Sequence, residues 1–140
     1  MKKMLLATVA LGAAVALAGP AFAADKYKVT LNGKAEVPPT TSNGTGSADV
    51  EYDPASKKMS WKVTYSGLTG PATAAHFHGP GEAGKNAGVA VPIPNIATSP
   101  AEGSATLTDA QAADFVAGKY YINIHTAANP AGEIRGQVTK

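Results

Sequence analysis

The stretch ADVEYDPASKKMSWKVTYS, residues 48–66, reads as two strands and the turn between them. Ala48, Val50 and Tyr52 alternate with Asp49, Glu51 and Asp53. After the turn, Met59, Trp61, Val63 and Tyr65 alternate with Ser60, Lys62, Thr64 and Ser66. Successive side chains of a strand point to opposite faces, so strict period-two alternation predicts one apolar face on a core and one polar face in water. Asp53–Lys57, DPASK, supplies the turn formers and is expected to close a hairpin.

The same reading extends in both directions. Tyr27, Val29 and Leu31 alternate with Lys28, Thr30 and Asn32. Further strands are expected at Thr73–His78, Gly88–Ile93, Ser104–Leu107, Tyr120–Thr126 and Glu133–Thr139. The segments between them, PPTTSNGTG, GPGEAGKNAG and PIPNIATSPAEG, carry the residues that favour turns. One segment breaks the alternation. In TDAQAADFVAG, Thr108 and Gln111 have capping-box spacing and Gly118 is a stop signal, which predicts a short helix over Asp109–Ala117 anchored by Phe115 and Val116. About eight short strands at regular spacing predict an all-β, antiparallel Greek-key sandwich or barrel with one short helix.

The N-terminus stands apart. Lys2 and Lys3 precede an apolar run from Met4 to Ala18, and Ala21-Phe22-Ala23 follows, the order of a secretory signal with cleavage expected after Ala23. That leaves Ala24–Lys140 as one domain, expected to be exported to the periplasm or the medium. Without Lys2 and Lys3, the 12 basic residues fall to ten and balance the 10 acidic ones. No basic cluster is left to grip phosphates, so nucleic acid is a poor partner. No second apolar span and no basic amphipathic helix speak for a membrane. Cysteine is absent, which removes disulfides, thiolate chemistry and cysteine-held metals. There is no phosphate-cradling glycine motif and no nucleophile elbow.

What remains is histidine. In TAAHFHG, Phe77 takes the core face, so His76 and His78 share the other. Their side chains start roughly 6–7 Å apart, a workable separation for two rings converging on one ion at about 2 Å from each nitrogen. In KYYINIHTAANPAGEIRGQ, Ile122 and Ile124 take the core face and leave Tyr121, Asn123 and His125 on the other. If these strands are neighbours, the three rings of the chain meet. Imidazole suits copper, zinc, iron and nickel. In GEIRGQV, Ile134 and Val138 face the core, and Glu133, Arg135 and Gln137 are expected to face outward; a guanidinium beside a metal would attract small anions. Each of these residues also has a plainer reading as an exposed strand residue, and Arg135 as a salt-bridge or hydrogen-bond partner.

The blocks AHFHGP, GKYYINIHT and NPAGEIRGQ together resemble the CHRD domain, the module named after chordin, over roughly Tyr27 to Val138. They are also distantly similar to copper, zinc superoxide dismutase, an eight-stranded Greek-key barrel of immunoglobulin-like form. That similarity implies His76, His78 and His125 as copper ligands and Arg135 as a guide for the superoxide anion. The chain has no fourth histidine for a metal bridge, no recognisable zinc loop and no cysteine. Three functions are therefore expected, in this order: copper handling or buffering through the three histidines; non-catalytic binding of an envelope protein or polysaccharide; and superoxide dismutase-like turnover.

Overall fold

A computed structural model describes residues 23–140; the leader read at residues 1–23 lies, except for Ala23, outside the described residues. The strands are β1 (Asp25–Asn32), β2 (Thr45–Asp53), β3 (Lys58–Ser66), β4 (Ala72–His78), β5 (Val89–Pro92), β6 (Ala101–Thr106), β7 (Tyr121–Thr126) and β8 (Ile134–Gln137). A helix, α1 (Asp109–Val116), lies between β6 and β7. Every pairing is antiparallel, in the order β5-β4-β7-β8-β1-β2-β3-β6. The predicted all-β, eight-stranded architecture is the observed one.

The sheet curls until its two flanks share a core. Trp61 on β3 meets Phe77 on β4 at 5.2 Å between ring centroids, although β7, β8, β1 and β2 all lie between them in the sheet. A flat sheet would hold those rings far apart, since neighbouring strands are spaced about 4.8 Å. The nearly closed barrel is filled by the residues that alternation assigned inward, among them Leu31, Val50, Met59, Val63, Phe77, Ile122, Ile124 and Ile134. Burying each such side chain contributes about 1.5–3 kcal/mol. Gly103 shows how tightly this is packed: a Cβ there would lie 2.6 Å from Cζ2 of Trp61. The pairing with β3 also starts β6 at Ala101, earlier than the turn-rich sequence predicts.

Helix α1 forms as its cap residues require. The Thr108 side chain accepts from the Gln111 backbone at 3.2 Å, and Gln111 Oε1 accepts from the Thr108 N–H at 3.0 Å. Gly118 follows at φ +76°, a left-handed conformation suited to glycine. Phe115 is fully buried among Tyr27, Tyr52 and Tyr120. Val116, expected as a second anchor, is instead 63% exposed. Consecutive helix residues lie about 100° apart around the axis, and a helix of this length presents one narrow stripe to the core. Among the described residues, no helix is long and apolar enough to cross a membrane.

Candidate metal centre

Strands β4 and β7 are neighbours, and their register pairs His76 with Asn123, His78 with Tyr121 and Ala74 with His125. The three histidines therefore share the outer face of adjoining strands. The β4–β5 register shifts between Phe77 and His78, with the extra residue, Ala90, on β5. One ring nitrogen from each of His76, His78 and His125 lies within 4.8 Å of the other two. Nδ1 of His76 and Nε2 of His125 are 3.2 Å apart. Two nitrogens each about 2 Å from one ion at a tetrahedral angle would be separated by roughly 3.3 Å.

Two backbone carbonyls determine which nitrogens are available. Nδ1 of His78 faces the Ala87 carbonyl at 2.9 Å, and Nδ1 of His125 faces the Pro130 carbonyl at 2.9 Å. A carbonyl only accepts, so each Nδ1 carries the proton and each neutral ring has its lone pair on Nε2. Nε2 of His78 is buried and has no protein partner, an unsatisfied position that normally calls for an ion or water. Burial is the main force holding His76 and His78 below the ordinary imidazole pKa. At His76 the neighbouring imidazoles add to it; at His78 the bond to Ala87 opposes it in part. The net lowering keeps unprotonated nitrogens available on these two rings at neutral pH.

The surroundings correct the expectation of a solvent-facing strand surface. Asn123, Glu133 and Arg135 are 3%, 0% and 1% exposed. Loops cover the outer face of β4, β7 and β8, and these polar side chains bond to those loops. Arg135 donates to the Asn86 side chain at 3.1 Å and to the carbonyls of Glu82 at 3.3 Å and Lys85 at 2.6 Å. Its guanidinium lies 3.5 Å from the centroid of the Tyr121 ring, and the other side of the stack is His78, parallel to Tyr121 within 2° at 4.9 Å. Gln137 is half-buried and donates to the carbonyls of Gly81 and Gly118.

Glu133 accepts from Ser42 Oγ at 2.9 Å, the Thr69 N–H at 2.9 Å, Thr126 Oγ1 at 2.7 Å, Asn129 Nδ2 at 3.0 Å and the Thr69 hydroxyl. Burial alone would raise its pKa; the donors from Thr69, Thr126 and Ser42 outweigh it and hold the carboxyl down at about 2.

Glu36, a residue without any sequence signal, joins the same layer at 5% exposure. Burial pushes it up to about 7, with the Arg135 charge acting in the opposite sense. Gly132, at φ +128°, makes room for it: a Cβ there would lie 2.4 Å from Glu36 Oε1 and 2.6 Å from Asn123 Nδ2. Its position between two turn-forming segments gave no periodicity from which burial could be read.

The structure thus brings His76, His78 and His125 together, and sets Arg135 beneath a loop behind Tyr121. Comparison with curated proteins and with solved structures returned no match. The family profile of the CHRD domain matches residues 27–138, from the second residue past the start of β1 to just beyond β8. The chain belongs to the CHRD domain family.

Proposed function

We propose that this protein is an exported copper-binding domain that handles or buffers the metal through one ring nitrogen of His76, Nε2 of His78 and Nε2 of His125. The carrying observation is the buried, unpartnered Nε2 of His78 within a cluster whose nitrogens lie inside 4.8 Å. Three imidazoles with an open position suit copper in either oxidation state, and all-nitrogen sites hold Cu(II) more tightly than zinc. When bound, the ion would supply Lewis acidity and one-electron chemistry at the open position. The chain's own contribution is to point the rings, hold His76 and His78 unprotonated and screen the cluster with loops. In this reading Arg135 anchors a loop, and its charge acts on the centre from behind Tyr121. Export rests on the leader at residues 1–23. Dismutase turnover rests on resemblance alone and is not part of the proposal.

The test is Cu(II) titration of the metal-free domain, followed by spin resonance and thermal unfolding. Copper at a hundred times its dissociation constant should stabilise the fold by about 2.7 kcal/mol. His76→Ala and His125→Ala should each abolish most of that gain. Wild type that takes up no copper, or variants that bind as well as wild type, would sink the proposal. Unchanged stability with copper present would favour a non-catalytic module for an envelope protein or polysaccharide.

A further inference from the structure

Two opposite charges lie two residues apart at the start of β8, Glu133 just before the strand and Arg135 within it, both essentially inaccessible to solvent. Among the described residues neither forms an ion pair. Each is satisfied by neutral groups instead, and all of those but Thr126 lie in loops. A buried charge costs several kcal/mol unless hydrogen bonds compensate it, so each charge ties its loop firmly in place.

The two loops are different ones. Besides Ser42 and Thr69, Glu133 holds Thr126, the last residue of β7, and Asn129 in the loop between β7 and β8. Asn129 is further fixed by its N–H to Thr126 Oγ1 at 3.2 Å, and Gly132 by its N–H to the Asn129 carbonyl at 3.0 Å. The next residue after Asn129 is Pro130, whose carbonyl faces Nδ1 of His125. Arg135 holds Glu82, Lys85 and Asn86 in the loop between β4 and β5. The next residue after Asn86 is Ala87, whose carbonyl faces Nδ1 of His78. The Tyr121 hydroxyl also meets Ala87, at 2.9 Å from its nitrogen and 3.1 Å from its oxygen, and Arg135 packs on that same tyrosine ring.

We infer that Glu133 and Arg135 are positioning residues with separate targets: Glu133 sets the tautomer of His125, and Arg135 sets the tautomer of His78, each through one loop carbonyl. A carbonyl held at hydrogen-bond distance keeps the proton on Nδ1 and the lone pair on Nε2. A carbonyl free to move away lets the neutral ring populate both forms. The inference deepens the copper reading, because those Nε2 lone pairs are the proposed ligands. The tautomers exist whether or not a metal binds.

The experiment uses the metal-free domain, labelled with nitrogen-15, at a pH where all three rings are neutral. Long-range proton–nitrogen correlation reports the tautomer of each ring separately. In wild type, His78 and His125 should both be Nδ1–H. Glu133→Gln turns one of the two acceptor oxygens into a donor and should move His125 towards a mixture of tautomers, leaving His78 as it was. Arg135→Lys keeps the charge and loses the fork, and should do the reverse. Asn129→Ala and Asn86→Ala remove single loop partners of Glu133 and Arg135 and serve if the Glu133 and Arg135 variants do not fold. Copper affinity in each variant should fall about 10- to 100-fold. Both rings shifting together in every variant, or neither shifting in any, would overturn the inference. Tautomers that respond as stated in a wild-type protein that binds no copper would uphold it and remove the metal reading alone.

Discussion

Two outer faces of the same sheet carry the same kind of sequence and meet opposite fates. On β1, β2 and β3 the outward residues stay in water: Lys28 meets Asp49 at 3.0 Å and Lys26 meets Glu51 at 3.7 Å, all four side chains more than half exposed. Ser47 and Thr64 share a hydrogen bond on the same exposed face. Along β4, β7 and β8, with Glu133 just before β8, the outward His78, Asn123, Glu133 and Arg135 are buried, and His76, His125 and Gln137 are half-buried. The strands do not differ in periodicity. Loops make the difference, because those following β4 and β7 fold back over their own strands and recruit the polar side chains beneath. Charges that would contribute little in water become anchors once covered.

Removing the anchors is the severest test of that contrast. Glu133→Ala leaves the donors of Thr69, Asn129 and the buried Thr126 without their acceptor, and Arg135→Ala strands three loop acceptors and opens a void under Tyr121. Each should cost roughly 3 kcal/mol or more in denaturant unfolding. Glu133 adds an acid signature. Its pKa is about 2 in the fold against 4.5 ordinarily, so its stabilisation is complete above pH 4.5 and is lost as the pH falls towards 2. Wild type should show that loss and Glu133→Gln should not. A covered face that tolerates these changes as an exposed one does would erase the distinction.

Glu36 sharpens the comparison from the opposite side. Its pKa is raised from 4.5 to about 7, so the folded protein binds the extra proton between those values. The stability that proton brings is present below pH 4.5 and is lost as the pH rises through 7. Glu36→Gln should therefore be close to neutral at pH 4 and stabilising by about 1–3 kcal/mol at pH 8, read from unfolding midpoints in both buffers. The smallest effect belongs to the open face. Lys28→Ala and Asp49→Ala should each change stability by less than about 0.5 kcal/mol, and added salt should reduce even that. A larger loss there would mean that the exposed pairs carry more of the fold than their exposure implies.

The candidate centre was legible in part. Alternation around Phe77 and around Ile122 and Ile124 placed His76, His78 and His125 off the core, and that is where they are. Their meeting depended on β4 lying beside β7 with Ala74 opposite His125, a pairing between segments some 50 residues apart that periodicity does not encode. The helix was legible through Thr108, Gln111 and Gly118, because a cap is a local hydrogen-bonding device. Val116 was not, since helix rotation relative to the core is a tertiary property. Glu133, Arg135 and Asn123 looked like surface residues because a polar position in a strand reads the same whether water or a loop covers it.

By itself the sequence determined what short-range chemistry can determine: which face of each strand is apolar, where the turns and the capped helix fall, and that three imidazoles would stand off the core. Those outcomes follow from backbone geometry over a few residues. Only the tertiary structure decided which strands adjoin, which polar face is roofed and which ring nitrogen each histidine offers. Each of these depends on groups far apart in the chain, whose hydrogen bonds become strong and directional only once folding has excluded the water between them.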